Sequence, residues 1–423
     1  MLLLYNFLLF IVRLCLPVLA LFSKKWGAWT DGQKLTKNSI SSIKALRSSS
    51  KCVWVHCASL GEYEQVKPIL EEIKRRFPEY LIILTFFSPS GFNRPSTFFQ
   101  ADAVFPLPLD GQKVAKAWVN ALRPSLVLFV KQELWFHYLN ELNLQKTPVF
   151  LVSGTLSSSL LKMPVYSSWY VKMCRLFSVL FLQNTKDIKW AKKYNLHKTV
   201  LAGNSRVDSV KNNKEVPWEN EIIEVFTLGS DTIIFGSTWS VDIPFLQDFL
   251  ANSAYKNWKI IWAPHEISSH QINLLFSAVK DEKSIILFSK ASEATGNERI
   301  LLLDTLGMLK YAYRYAQLAY VGGGFGKGIH NLLEPIVYEM PVIFGPHFLA
   351  FPEAHYLVEN GGGFSIRNVK DWQLVLEKLV DANGRHKVGM IASSYIVQNM
   401  GTVDKILPFI SEVLDYDSKR YLD

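Results

Sequence analysis

KCVWVHCASLGEYEQVKPILEEIKRRFPEYLIILTF, residues 51–86, decides the architecture. Residues 51–56 and 80–86 are short apolar runs rich in β-branched and aromatic side chains, the composition of buried strands. Between them, 62–77 sets Val66, Ile69, Leu70 and Ile73 at helical spacing. A strand, a helix and a strand in so short a span predict a βαβ unit and a parallel sheet. The pattern continues outward, with strands expected at 126–130, 149–153, 179–182 and 199–201 and helices between several of them. Residues 209–220, SVKNNKEVPWEN, are polar, contain proline and read as a linker. Beyond it the rhythm restarts. Strands are expected at 232–235, 259–262, 284–287, 300–303, 318–321 and 341–344, with helices at 241–251 and 330–338. The expectation is an α/β protein with two doubly wound, Rossmann-like domains facing one another across an interdomain cleft, the ligand crevice lying at the carboxyl ends of the strands. A last helical stretch, 391–414, is counted with the second domain and read as packing back across the hinge.

At 423 residues, 49% hydrophobic and 20% charged, the chain suits two domains of about 150–200 residues each. Modest glycine (23) and proline (18) without repeats exclude disordered, collagen-like and solenoid classes. Four cysteines are too few for a disulfide scaffold of this length. The net charge of +9 would suit nucleic acid if it were spread over the chain, but residues 1–51 hold eight basic side chains against one acid, Asp31. They carry +7 of the +9, so no nucleic-acid partner is expected. Residues 1–22, MLLLYNFLLFIVRLCLPVLALF, are apolar apart from Asn6 and Arg13. About 20 such residues span roughly 30 Å as a helix. Arg13 near its middle would cost roughly 2.5–3.5 kcal/mol, and Pro17 would kink it. A helix lying in the interface therefore stands beside a spanning anchor. A cleaved signal peptide, the third reading, lacks its basic n-region. The expected division is an anchor or interfacial helix at 1–23, a basic juxtamembrane segment at 24–50 that meets an anionic membrane surface on the cytoplasmic side, a first domain at 51–208, a linker at 209–220 and a second domain at 221–423.

Several turns offer chemistry. In YVGGGFGKGIHNLLEP, residues 320–335, a strand runs into Gly322, Gly323, Gly324, Gly326 and Gly328 before a helix expected to begin near His330. Such a turn either lets backbone N–H groups approach a phosphate or serves tight packing. Glu334 lies one turn on, where it would meet ribose hydroxyls. The spacing is not the dinucleotide G-x-G-x-x-G fingerprint. In LDTLGML, 303–309, Asp304 or Thr305 is placed to cap a helix, and 345–351 (GPHFLAF) follows a strand end, as does His265. In the first half, the strand through 53–55 ends in His56-Cys57-Ala58-Ser59-Leu60-Gly61-Glu62, with Gly61 allowing a sharp bend. Glu62 there is either a general base at the crevice edge or an ordinary first-turn acid favoured by the helix dipole. Glu133, in KQELW after another strand, faces the same side. Cys52 and Cys57 have no matching Cys/His pair for zinc, and no nucleophile elbow or P-loop occurs. Asp415-Tyr416-Asp417 has the D-x-D form of metal-dependent sugar transferases but sits in the charged tail, read as solvated, so no metal is expected.

Taken together and in order, VHCASLGE (55–62), QELW (132–135), AGNSRVD (202–208), GSTW (236–239), APHE (263–266), LDTLG (303–307), VGGG…HNLLEP (321–335) and FGPH (344–347) resemble the 3-deoxy-D-manno-octulosonic acid (Kdo) transferases of lipopolysaccharide biosynthesis. The resemblance runs from the N-terminus to about residue 401. It implies a GT-B fold with the acceptor site in the first domain and the CMP-Kdo site in the second, at the cytoplasmic face of the inner membrane. It also implies inverting, metal-independent transfer of Kdo from CMP-Kdo to a lipid A precursor, with CMP-Kdo as substrate and no cofactor. Glu62 becomes the expected base, supported by Glu133. Donor contacts are expected at Pro264, His265, Gly307, Gly323, Gly324, Asn331 and Glu334, and acceptor contacts at Ser59, Gly61 and Ser157. The chain departs from the family in places. Lys131 and Gln132 stand at E-T-E-L-W, His265 follows Pro264 without the arginine of P-R-H, and Ser153–Ser157 read S-G-T-L-S for N-A-R-L-S. Lys327 or Arg206 is the expected basic compensation. Two competitors remain: another membrane-associated GT-B transferase using a different nucleotide sugar, and an inactive membrane-anchored binding protein of this fold.

Overall fold

The computed structural model describes residues 1–47, 50–93, 98–156, 164–279, 284–294 and 296–419. They form two compact units, one of Met1–Ser209 with Met400–Asp423, the other of Val210–Asn399.

The sheet of the first unit has seven parallel strands in the order β3-β2-β1-β4-β5-β6-β7. They are β1 (Lys51–Cys57), β2 (Tyr80–Phe86), β3 (Ala103–Pro106), β4 (Leu126–Val130), β5 (Val149–Gly154), β6 (Val179–Leu182) and β7 (Thr199–Leu201). Every residue of β4, LVLFV, is buried, as parallel sheets covered on both faces require. Trp54 and Phe129 feed one face of the core; Val53, Val55, Leu84 and Leu128 feed the other. β1 pairs with both β2 and β4, so the strand order reverses beside it. At such a switch point the crossover connections leave on opposite faces and open a crevice at the carboxyl ends of β1 and β4. Those ends lead directly into Glu62 and Glu133.

In the second unit the order is β10-β11-β9-β8-β12-β13-β14, again all parallel. The strands are β8 (Thr232–Thr238), β9 (Lys259–Pro264), β10 (Ile285–Leu287), β11 (Ile300–Leu302), β12 (Leu318–Val321), β13 (Val342–Phe344) and β14 (Gly363–Ser365). Its switch point lies between β8 and β12, where the glycine-rich turn begins. The twelve expected strands are all present; β3 and β14 are additional, each short and at a sheet edge.

Three expected boundaries change. The basic juxtamembrane segment expected at 24–50 is mostly one helix: after α1 (Leu2–Phe22), α2 (Lys24–Leu46) lies within the first unit. Gln33 donates to Leu107 O at 2.8 Å and accepts from Leu109 N at 2.9 Å, Ile43 is buried, and Arg47 donates to the carbonyls of Leu122 and Arg123. The 209–220 segment is partly helical, within Arg206–Glu215, and Trp218 stacks on Tyr311 at 5.3 Å. Residues 391–414 are two helices, Ala382–Asn399 and Thr402–Lys419, separated at Gly401, whose φ is +86°. The second of them belongs to the first unit, not to a domain 221–423. Ile406, Ile410 and Leu414, at helical spacing, are buried in its core. Asp208 accepts from Gly401 N at 2.6 Å and Val403 N at 3.0 Å, and Tyr80 Oη donates to Leu414 O at 2.9 Å. Asp417 of the D-x-D is engaged rather than solvated: it accepts from Tyr80 Oη at 3.0 Å and pairs with Lys51 at 3.4 Å.

Candidate active site

In the first unit, β1 ends at Cys57 and α3 (Leu60–Arg76) starts three residues on. Ser59 is the N-cap in extended conformation, but its side chain makes no capping bond. Glu62 instead reaches back across the turn: its Oε2 accepts from Ala58 N at 2.5 Å. The helix start thus holds the carboxylate half-buried beside the strand end. Burial is the main cause pushing Glu62 up to about 6, and the negative charge of Glu133 adds to it. The Ala58 N–H, His56 and Lys131 pull the other way. Gly61 is not the site of a sharp bend. It lies within the first turn of α3, exposed, with no positive φ and only Ser59 Oγ, 3.9 Å away, near where a Cβ would stand.

Glu133 is held by a chain of buried groups. Trp135 Nε1 donates to its Oε2 at 2.6 Å, and His56 Nε2 lies 3.2 Å from the same oxygen. A carboxylate only accepts, so His56 carries a proton on Nε2. Its Nδ1 lies 3.0 Å from Thr85 Oγ1 and 3.1 Å from Thr85 O, and Thr85 Oγ1 accepts from Trp54 Nε1 at 2.9 Å. The chain Trp54, Thr85, His56, Glu133 was not expected from sequence, although a histidine and a threonine inside apolar strands were its visible signal. Strand register makes it, because His56 of β1 lies opposite Thr85 of β2 and Phe129 of β4. Cys57 beside them is buried, and burial with the charges of Glu62 and Glu133 pushes its thiol well up, which removes it as a nucleophile at neutral pH. Ser153, at the end of β5, has φ +47° and shares a 2.7 Å hydrogen bond with Ser205 Oγ, which also donates to Gln65 O. Ser157 lies outside the described residues.

The second unit gathers its expected residues at the ends of β8, β9 and β12. A cavity of 160 Å³ is lined by Pro264, His265 and Gly307, with Ser237, Leu303 and Thr305 among its other walls. Above β9, three rings cluster. Trp239 and His330 each stack on His265 at 4.4 Å, and Trp239 Nε1 donates to His330 Nε2 at 3.2 Å. Burial pushes His265 down, against the opposing pull of Glu266, which keeps the imidazole neutral near pH 7. Buried Asp242 pins the turn, accepting from Tyr320 Oη at 2.6 Å and Trp239 N at 2.8 Å. Asn331 donates to Glu334 Oε1 at 2.8 Å and so fixes its carboxylate.

The glycines are there for packing as well as for approach. A Cβ on Gly322 would stand 2.4 Å from Ser237 O, and one on Gly324 would stand 2.7 Å from Gly345 Cα. The helix expected from His330 is only Leu333–Ile336. His330 N donates to Gly322 O and Leu333 N to Asn331 Oδ1, so those N–H groups are already used within the protein. Nor does Asp304 cap a helix; it accepts from Ser289 N at 3.0 Å and from the Ser289 hydroxyl. Lys327 is exposed within the glycine turn. Among the described residues, no three His, Cys, Asp or Glu side chains are grouped to hold a metal ion.

A family model for the 3-deoxy-D-manno-octulosonic-acid transferases matches residues 33–209. The chain is 27% identical to the 3-deoxy-D-manno-octulosonic acid transferase of Chlamydia trachomatis serovar A, over 84% of each chain. With that of Haemophilus influenzae it shares 26% over 86% of this chain and 87% of the relative, and with that of Aquifex aeolicus 28% over 82% and 90%. Among solved structures, UDP-GlcNAc 2-epimerase from Neisseria meningitidis superposes with a TM-score of 0.61 at 14% identity, covering 86% of this chain and 99% of its own. MurG of Acinetobacter baumannii gives 0.54 at 10% identity, covering 86% and 99%. Those likenesses are of fold, the GT-B arrangement of two Rossmann-like units. In its domain at 33–209 and over most of its length, the chain is similar to the Kdo transferases.

Proposed function

We propose that this protein transfers Kdo from CMP-Kdo to a hydroxyl of a lipid A precursor, with inversion at the anomeric carbon and without a metal. The observation that carries the reading is Glu62: a half-buried carboxylate at the β1 switch point, poised at about 6. A base near the working pH is ionised enough to act and basic enough to take a proton. Glu62 accepts the proton of the attacking hydroxyl as the new C–O bond forms and CMP departs with the electron pair of the broken bond. Glu133 does not touch the reacting atoms here; it sets the basicity of Glu62 through its charge. The second unit holds the donor, with the cytidine and its phosphate placed at Pro264, His265, Gly307 and the glycine turn, and Glu334, oriented by Asn331, toward sugar hydroxyls. Ser59 and Gly61 flank the acceptor. The cytoplasmic face of an anionic inner membrane is the working surface.

The test is CMP release and lipid glycosylation with CMP-Kdo and tetraacylated lipid A precursor. CMP binding without turnover would point to an inactive binder of this fold, and turnover only with another nucleotide sugar to a different transferase. Turnover is expected to survive EDTA; loss restored by a divalent cation would sink the metal-free mechanism.

The pH profile has a definite sign. Below about pH 6 Glu62 is protonated and cannot accept, so log kcat/KM is expected to fall with unit slope through that value. In Glu133→Gln the negative neighbour is gone, the Glu62 carboxylate is easier to form, and the limb moves to lower pH. An unmoved limb would show that the two carboxylates are uncoupled.

A further inference from the structure

Helix α1 has two unlike sides. Tyr5 Oη donates to Asp110 Oδ2 at 2.6 Å, Asn6 Oδ1 lies 2.7 Å from His137 Nε2, and Arg13 donates to Asp110 O at 2.9 Å. The Tyr5 ring packs on Phe136 and Trp169, and Leu16 is buried against Trp29 and Leu109, with Leu9 beside them. Residues 5, 9, 13 and 16 recur every three or four positions, one stripe of a helix. The stripe runs about 17 Å at 1.5 Å per residue. The rest of the surface is open and apolar, with Leu3, Phe7, Leu8, Ile11, Leu14 and Val18 all exposed.

We propose that α1 lies in the plane of one leaflet, docked on the first unit, and does not cross the bilayer. By length and composition it passes as a span. A spanning helix, however, is surrounded by hydrocarbon for about 30 Å. Here more than half of that length is held against a unit that presents buried Asp110 and His137 to it. Crossing would drag those polar groups into lipid or leave Tyr5, Asn6 and Arg13 without partners inside it. Lying flat does neither: Arg13 is turned to backbone carbonyls on the protein side, and the apolar face alone meets lipid. The occupant of that face is an anionic phospholipid leaflet. Residues 1–51 carry +7, which complements anionic headgroups and would repel the same face of a second copy.

The ends of the chain report the topology. The full chain is placed in sealed vesicles of zwitterionic and anionic phospholipid, with one protease-cleavable tag ahead of Met1 and another after Asp423. An in-plane α1 leaves both tags on one side, so added protease removes them from the same fraction of molecules. Complementary fractions, the first tag sheltered wherever the second is cut, would overturn the proposal. Depth is read independently through Cys15, which is exposed while Cys52, Cys57 and Cys174 are buried. A fluorophore there is expected to be quenched several-fold better by lipids labelled near the headgroup than by lipids labelled at the chain ends. The opposite order would place α1 across the bilayer.

Discussion

Glu62→Gln is expected to lower kcat by about 10²–10⁴-fold, the usual worth of a positioned general base, which is ~3–5 kcal/mol of barrier. Glutamine is close to isosteric and its amide oxygen still accepts from Ala58 N, so the turn into α3 keeps its hydrogen bond. What is lost is the capacity to take a proton. CMP affinity should be unchanged, because the residues placed around the nucleotide belong to the second unit. Unaltered melting and CMP binding with lost turnover is the expected result; turnover within a few-fold of wild type would refute the base assignment. The acid limb near pH 6 should vanish in this variant together with the rate.

Gly323→Ala is expected to damage both the fold and the donor site of the second unit. Gly323 sits at φ +89°, a region that costs an L side chain roughly 1–2 kcal/mol. Its Cβ would also stand 2.6 Å from Gly328 O and 2.7 Å from His330 Cδ2. Relieving that overlap costs a further ~1–3 kcal/mol by overpacking, and it moves His330 off the face of His265. Together the unit should lose about 2–5 kcal/mol of stability, and CMP affinity should fall at least ten-fold on the order of 1.4 kcal/mol. Gly361→Ala is the control for strain without crowding. Its φ is +77°, but nothing lies within 4 Å of the new Cβ. Only the backbone penalty of roughly 1–2 kcal/mol should appear. Equal damage from the two substitutions would mean that the Gly328–His330 contact has no part in donor binding. Calorimetry with CMP and thermal unfolding measure both effects.

Much of this was legible in residue order. The central expected strands of the first unit are apolar runs buried on both faces, and 80–86, 126–130, 179–182 and 199–201 coincide with β2, β4, β6 and β7. β3 (AVFP) and β14 (GFS) escaped because proline in one and glycine and serine in the other break the apolar run that marks a strand. Glu62 could be nominated from a strand, a turn and a helix read in sequence, since all three are local. The chain Trp54, Thr85, His56, Glu133 could not, because its members come from β1, β2 and the turn after β4. Only the pairing of those strands brings them within hydrogen-bond reach.

The same division holds for the ends of the chain. The apolar run 1–22 and the basic excess behind it are properties of composition, and they give a helix long and apolar enough to cross a membrane. Whether α1 crosses or lies flat depends on which side of the helix finds protein partners, and that was decided by Asp110, His137 and Leu109, about a hundred residues away. Likewise 402–419 reads as a helix by its own periodicity, but its attachment to the first unit rests on Tyr80, Asp208 and a distant apolar face. Periodicity and turn chemistry are local and therefore determined by sequence. The basicity of Glu62, the support of Glu133 and the lie of α1 depend on desolvation and charge from residues that meet only in the folded chain.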